Sequence, residues 1–342
     1  MKILHILGTD RLSGAENVHL DILRSLKDDN EVIYASPDGP IRRSVEEAGV
    51  TFLPCNTESV KEIKRLYREL APDAVHACDP RMSFKCARAG IPFVAHLHNN
   101  CPWMKKYSAN SFALRYAAKK ASAVIVVSNS VSNDYVFSSV FRDKLHIIPN
   151  VVDRMKVEKM AEEPFEKQFD ILFVGRFTDQ KRPILFLKFV KDLTLRLPSI
   201  KAAMVGEGEL FFDAEKYIGE NSIHNVSLIG FDPNPYRIIK KSKLIIFTSY
   251  YEGFGLVAVE GMILGKPVLA YPSGGITEIA RRGGVLCRTH EEMVEAAYNL
   301  LRDSDEYIKA SNKAYEASFE YTNTGTYMDK IKKIYADLVI GK

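Results

Sequence analysis

Several things that whole classes of protein depend on are missing from this chain of 342 residues. Its five cysteines, Cys55, Cys78, Cys86, Cys101 and Cys287, are odd in number and lack C-x-x-C spacing, which argues against a disulfide framework and for reduced thiols in a cytoplasm. No apolar run approaches the roughly 18 to 20 residues that cross a bilayer. The opening Met1-Lys-Ile-Leu-His-Ile-Leu-Gly8 is too short and too soon charged for a signal peptide and reads as a buried first strand. Arginine-rich tracts, zinc-finger spacing and aromatic RNA-binding signatures are absent, so nucleic acid is not an expected partner. The glycines of Gly8-Thr-Asp-Arg-Leu-Ser-Gly14 do not have the G-x-G-x-x-G spacing of a dinucleotide fold, which disfavours an NAD enzyme. There is no repeat and no low-complexity tract.

What is present suits two folded domains. With 46% apolar residues the chain is long enough for each half to bury a core. The net charge of +4 falls entirely within residues 1–150. A basic half can face a phosphorylated substrate or an anionic membrane. Short apolar strands are expected at 2–7, 31–35, 51–54, 73–77, 92–97 and 122–127, with amphipathic helices between them, such as Val18 to Leu26 and Val60 to Leu70. Strands alternating with helices imply parallel sheets with right-handed crossovers. The pattern pauses over the polar stretch 149–168, read as a linker, and resumes with Phe169 to Val174 and with strands near 200–205, 226–229, 243–248 and 267–271. The expected fold class is therefore α/β, with two Rossmann-like domains facing a central cleft. Their expected limits are 1–160 and 161–321, followed by a helix over 322–342.

The most telling segment is Glu252-Gly-Phe-Gly-Leu-Val-Ala-Val-Glu260, which follows the apolar run Leu244 to Thr248 and precedes Gly265-Lys-Pro-Val-Leu269. It reads as strand, turn, helix, strand. Gly253 and Gly255 let the backbone of Phe254 and Leu256 approach a ligand, and the first N–H groups of a helix from Leu256 to Leu264 lack intrahelical partners. Such an end binds phosphate. Glu260 suits a carboxylate that accepts from ribose hydroxyls, and Glu252 stands before the turn where a second polyol would lie. Together they describe a pocket for a nucleotide diphosphate sugar.

This spacing is similar to the E-x7-E motif of retaining GT-B glycosyltransferases of family 4. Ser13-Gly14-Ala15-Glu16 resembles the family's first glycine loop, and Ile148-Pro-Asn-Val-Val-Asp153 its interdomain segment. Val174-Gly-Arg176-Phe-Thr-Asp-Gln-Lys181 resembles its Gly-Arg…Lys element, and Pro272-Ser-Gly274-Gly275-Ile-Thr-Glu278 its GG-x-PE turn. The five occur in the family's order between residues 13 and 278. Arg182-Pro183 departs from the glycine that commonly follows the lysine, which leaves the start of the next helix open; proline is tolerated in a first turn. The resemblance implies that the final helix returns to the N-terminal domain. It also implies that His98, in Val94-Ala-His96-Leu-His98-Asn99-Asn100, reaches the donor sugar.

The leaving diphosphate needs positive charge, from a carboxylate-held metal or from fixed cations. The one Asp-x-Asp, Asp303-Ser-Asp305, lies between two helical stretches and reads as a helix cap. Arg176 and Lys181 at a strand-to-helix turn fit the second solution, so no metal is expected there and no cofactor beyond the donor, taken as UDP-linked. Solvated surface cations are the bland reading of that pair. A zinc site at His96, His98 and Cys101 is conceivable, but no fourth ligand is apparent and a packed histidine describes His96 better. Val205-Gly206-Glu-Gly208-Glu-Leu210 reads as a tight turn, and Phe231 to Tyr236 is where a base contact is sought. The stretch 101–121 joins Trp103, Phe112 and Tyr116 to five cations; it reads equally as a membrane or lipid-phosphate contact and as a surface helix with Leu114 and Ala118 inward.

The expected activity is retaining transfer from a nucleotide diphosphate sugar to a hydroxyl of a glycan or lipid-linked acceptor, in the cytoplasm, with the chain either free there or peripheral on the membrane's inner face. His98, Glu252, Arg176 and Lys181 are the candidate catalytic residues. Gly14, Arg176, Lys181, Glu252, Gly253, Phe254, Gly255, Leu256 and Glu260 are the candidate donor contacts. A nucleotide-sugar epimerase, a sugar phosphorylase and a catalytically silent nucleotide-sugar binder are the competing readings.

Overall fold

The computed structural model describes residues 1–340. The chain forms two compact units. Unit 1 comprises residues 1–150 together with the chain from Gly325 onward, and unit 2 is Val151–Thr324.

Unit 1 carries strands β1 (Lys2–Ile6), β2 (Glu31–Ser36), β3 (Thr51–Pro54), β4 (Ala74–Ala77), β5 (Val94–Leu97), β6 (Ala123–Val126) and β7 (Leu145–Ile147). They form one parallel sheet in the order β3-β2-β1-β4-β5-β6-β7. Unit 2 carries β8 (Phe169–Val174), β9 (Ala202–Val205), β10 (Val226–Gly230), β11 (Ser242–Phe247), β12 (Val268–Ala270) and β13 (Gly284–Leu286), in the order β10-β9-β8-β11-β12-β13. All pairings in both sheets are parallel. The central strands are apolar along their whole length because helices cover both faces, as β6 (Ala-Val-Ile-Val) and β9 (Ala-Ala-Met-Val) show. In unit 2 the rings of Phe173, Phe177, Phe186 and Phe189 are buried in a core that Leu244, Met293 and Leu300 complete.

Each sheet reverses its strand order once, between β1 and β4 and between β8 and β11. At such a reversal the two crossovers leave on opposite faces, so a crevice opens at the carboxyl ends of the two strands. The loops after β8 and β11 are the ones that hold Arg176, Lys181 and Glu252.

The stretch 149–168 is only partly a linker. It contains the helix Arg154–Ala161, capped by Asp153, whose side chain accepts from the Lys156 N–H at 3.1 Å. The charged surface of that helix hid it, since only Val157 and Ala161 are buried. Residues 101–121 divide into a 3-10 turn at Pro102–Lys105 and a helix at Ala109–Lys120, whose Leu114, Ala117 and Ala118 face the core. The final helix, Thr324–Ile340, buries Ile331, Ile334 and Tyr335, the last bonded to histidines of unit 1.

Candidate active site

The loop after β8 is shaped by its neighbour after β9. Gly206 has φ of 132°, and a Cβ there would lie 2.0 Å from the Gly175 carbonyl oxygen. Only glycine permits that approach. Hydrogen bonds then lock the two loops together, from the Phe177 N–H to the Glu207 carbonyl at 2.9 Å and from the Leu210 N–H to the Phe177 carbonyl at 2.9 Å. The segment expected to be a simple tight turn is therefore the support on which Arg176 is displayed. Arg176 is exposed, with its Nη2 donating to Gln180 at 3.3 Å. Arg182, at φ 53°, turns the chain into the helix Pro183–Arg196; proline is well suited to the helix's first position, but arginine takes the left-handed conformation that the commoner glycine adopts without strain, at a cost of about 1 kcal/mol.

The loop after β11 meets it. The Gln180 side chain donates to the Tyr251 carbonyl at 3.1 Å, and the Tyr250 N–H donates back to the Gln180 carbonyl at 2.7 Å. Lys181 Nζ donates to Glu252 Oε1, which also accepts from the Ser249 hydroxyl at 2.6 Å. Glu252 is 5% exposed, so this is a buried ion pair. Its main chain is pinned as well: the Glu252 N–H donates to the Ser273 carbonyl at 2.8 Å, and the Gly275 N–H donates to the Glu252 carbonyl at 2.7 Å. The turn around Gly274 and Gly275 thus braces Glu252.

Directly after, Gly255 caps the helix Leu256–Ile263 at φ 107°, a conformation that side chains rarely adopt. Phe254 is buried, its ring 5.6 Å from that of Tyr321, and offers only its main chain to a ligand. Arg176, Lys181, Glu252, Gly253, Gly255 and Leu256 therefore share the carboxyl-end crevice of β8 and β11. Glu260 lies in the middle of Leu256–Ile263, about one helix turn after Leu256, and its Oε1 accepts from the Tyr236 hydroxyl at 3.4 Å. Burial pushes its carboxyl up to about 7, opposed by the Tyr236 bond and the Lys156 charge. In the segment searched for a base contact, Phe231 is exposed, while Asn234 is buried and bonded to the Met160 carbonyl. Asp303 accepts from the N–H groups of Asp305 and Glu306 at 2.9 and 3.0 Å, which is the expected cap.

In unit 1, Gly14 opens the helix Gly14–Leu26, and His98 follows β5 at the carboxyl edge of the sheet. His19 on that helix connects them, its Nε2 lying 2.8 Å from His98 Nε2. Sequence reading missed the setting. His5, His19, His76 and His96 are all fully buried around His98, and they come from β1, the first helix, β4 and β5. Cys101 is not among the donors that converge; His5, His19, His76, Cys78 and His96 are. Burial lowers His5 and His98 to about 3 and holds His19, His76 and His96 well below the ordinary imidazole range. All five rings are therefore neutral near pH 7. A buried polar atom without a partner costs about 1–3 kcal/mol, and His76 Nε2, both nitrogens of His96 and Nδ1 of His98 have none among the described residues. A separate hollow of about 350 Å³, lined by Tyr67, Asp73, His146 and Asp337, opens at the amino ends of the strands, away from the edge where ligands bind open α/β sheets.

Two families match the chain in succession. Glycosyltransferase Family 4 matches residues 12–156 and Glycosyl transferases group 1 matches residues 155–317. An uncharacterised glycosyltransferase of Methanocaldococcus jannaschii is 29% identical over 61% of this chain and 58% of its own length. The chain thus spans less than two thirds of that relative. An Escherichia coli UDP-Gal:alpha-D-GlcNAc-diphosphoundecaprenol alpha-1,3-galactosyltransferase is 24% identical over 100% of this chain and 98% of its own. Anabaena HepE, solved with UDP and glucose, superposes with a TM-score of 0.86 at 20% identity, over 98% of this chain and 99% of that one. The chain belongs to the group 1 glycosyltransferases and has their GT-B fold.

Proposed function

We propose that the chain transfers a sugar from a nucleoside diphosphate donor, UDP-linked, to a hydroxyl of a glycan or lipid-linked acceptor, with retention of anomeric configuration. The observation that carries this reading is the meeting of Arg176, the Lys181–Glu252 pair and the amino end of Leu256–Ile263 in one crevice. Arg176 offers a planar fork to diphosphate oxygens, Lys181 a point charge, and the helix its unpaired N–H groups and dipole. Fixed cations in these positions do the work of a divalent ion as the bond from C1 to the diphosphate oxygen breaks. Glu260 accepts from the ribose hydroxyls; within unit 1, His98 and the Gly14 loop are the residues assigned to transfer. HepE's UDP and glucose and the UDP-Gal of the Escherichia coli relative support the choice of donor.

Glu252 is an unsuitable nucleophile, because its Oε1 is held by Lys181 and Ser249. The acceptor oxygen instead bonds to C1 on the face the diphosphate leaves, and the acceptor proton passes to the departing phosphate oxygen. A trapped glycosyl-enzyme adduct would contradict this step. The direct test is a thermal-shift panel of nucleotide sugars with and without chelator: a ligand at a hundred times its dissociation constant adds roughly 2.7 kcal/mol. Glu260→Ala abolishes the shift for every nucleotide sugar, and His98→Ala spares binding but slows transfer. Equal binding losses in both variants would overturn the division of roles.

Residues 101–121 support an acceptor carried on an anionic lipid surface. Tyr107, Phe112 and Tyr116 are exposed, Phe112 packs 5.0 Å from Phe137, and Arg115 sits 4.9 Å over the Phe137 ring. Lys119 and Lys120 end the same helix. Co-sedimentation with phosphatidylglycerol vesicles, lost in Phe112→Ser and in high salt, is the expected result; equal partition to neutral vesicles would contradict it.

A further inference from the structure

The histidines of unit 1 exceed what hydrogen bonding explains. A neutral imidazole has one donor and one acceptor nitrogen. One chain of contacts uses some of them: His98 Nε2 to His19 Nε2 at 2.8 Å, His19 Nδ1 to His5 Nδ1 at 3.1 Å, then His5 Nε2 and His76 Nδ1 to the Tyr335 hydroxyl at 2.9 and 2.6 Å. Left over are His76 Nε2, both nitrogens of His96 and Nδ1 of His98, all buried. Rings that served only as packing would be expected to turn these atoms toward backbone or hydroxyl groups. They turn toward one another: His76 and His96 are stacked with centroids 5.2 Å apart, and His19 meets both edge-on at 4.9 and 5.1 Å.

We infer that unit 1 binds a divalent transition-metal ion of the zinc type through His19, His76 and His96. One ligand atom from each lies within 4.8 Å of the others. Zinc takes imidazole nitrogen at about 2.0–2.1 Å, which sets neighbouring donors about 3.4 Å apart in a tetrahedron, so side-chain rotation must close the set by at most about 1.4 Å. Neutral imidazoles are the binding form, and burial keeps all three neutral. A second triad, His5, His19 and Cys78, shares His19 and cannot be filled at the same time. The first set is favoured because two of its three members offer nitrogens that lack partners, His76 Nε2 and those of His96, so only His19 must exchange a bond to His5 or His98, whereas both histidines of the second set are already bonded at both nitrogens. Imidazole-only ligation suits zinc, cobalt, nickel or copper over magnesium or calcium. The ion ties the helix Gly14–Leu26 to β4 and β5, a structural role in unit 1 that is independent of the proposed donor chemistry in unit 2.

The test uses the full chain without a polyhistidine tag, produced with zinc and passed through a column containing EDTA to strip surface ions. Elemental analysis should find near-stoichiometric zinc. X-ray absorption on the wild-type protein should show a nitrogen shell of imidazoles at about 2.0 Å, and cobalt-substituted protein should show intense tetrahedral ligand-field bands. His96→Leu should lose the ion, and Cys101→Ser, which removes no donor, should keep it. Absence of metal in the wild-type protein, an all-oxygen shell, or full metal content in a folded His96→Leu protein would each overturn the site. The absorption spectrum of the wild-type protein decides the matter even if His96→Leu does not fold.

Discussion

Lys181 and Glu252 form a buried contact to which the proposed function gives a second task, donor binding, beside stability. Glu252 is almost wholly enclosed, so its charge is tolerable only with Lys181 and Ser249 bonded to it. Removing one partner of a buried pair leaves the other uncompensated, which costs about 3 kcal/mol. Lys181→Met should lower stability in urea by that order, and the double variant Lys181→Met/Glu252→Gln should recover most of it while remaining inactive in transfer. Full activity in the double variant would remove both residues from the site. Glu260 makes a pH prediction. Its folded-state value, about 7, stands above the ordinary 4.5, so the protonated form stabilises the ligand-free fold at low pH and that contribution fades as pH rises through 7. Ribose hydroxyls donate to the ionised form. UDP affinity should therefore rise between about pH 6 and 8, with a proton released on binding, measurable by calorimetry in buffers of different ionisation enthalpy. A flat profile would place the ribose elsewhere.

Among the elements, the loops after β8 and β9 depend on each other. Gly206→Ala places a methyl group 2.0 Å from the Gly175 oxygen, and the loop that displays Arg176 must move. Donor binding should fall at least tenfold, a loss of about 1.4 kcal/mol. Asp303→Ala is the matching control: it removes the cap of the helix Ser304–Ser318 and should cost about 1 kcal/mol of stability with donor binding unchanged. These elements also divide what could be read from the sequence from what could not. The helix at Leu256, the strand Phe169–Val174 and the cap at Asp303 were legible because each is a local pattern of period, glycine and cap. The short edge strands β7 and β13, three residues each, were not, because so brief a run carries no period. The role of Gly206 needs the loop of another strand. The histidine cluster gathers residues from four separate elements, His5 to His96, and such neighbours share no local signature.

At the scale of the whole molecule, the chain enters unit 2 after Asn150 and leaves it at Thr324, so unit 1 is built from both ends of the sequence. Tyr335 is the visible consequence, since a residue near the end of the chain bonds His5 of the first strand and His76 of β4. Ending the chain at Thr324 should destabilise unit 1 while leaving UDP binding by unit 2 intact, a result that limited proteolysis with and without UDP can read. The account stands most directly on how the donor's diphosphate is held, and titration calorimetry of UDP in EDTA tests it. Wild-type protein should bind with the same affinity in EDTA as with manganese, and Arg176→Ala combined with Lys181→Ala should lose binding at least a hundredfold, about 2.7 kcal/mol. Binding that vanishes in EDTA and returns with manganese, or that survives loss of both cations, would contradict it.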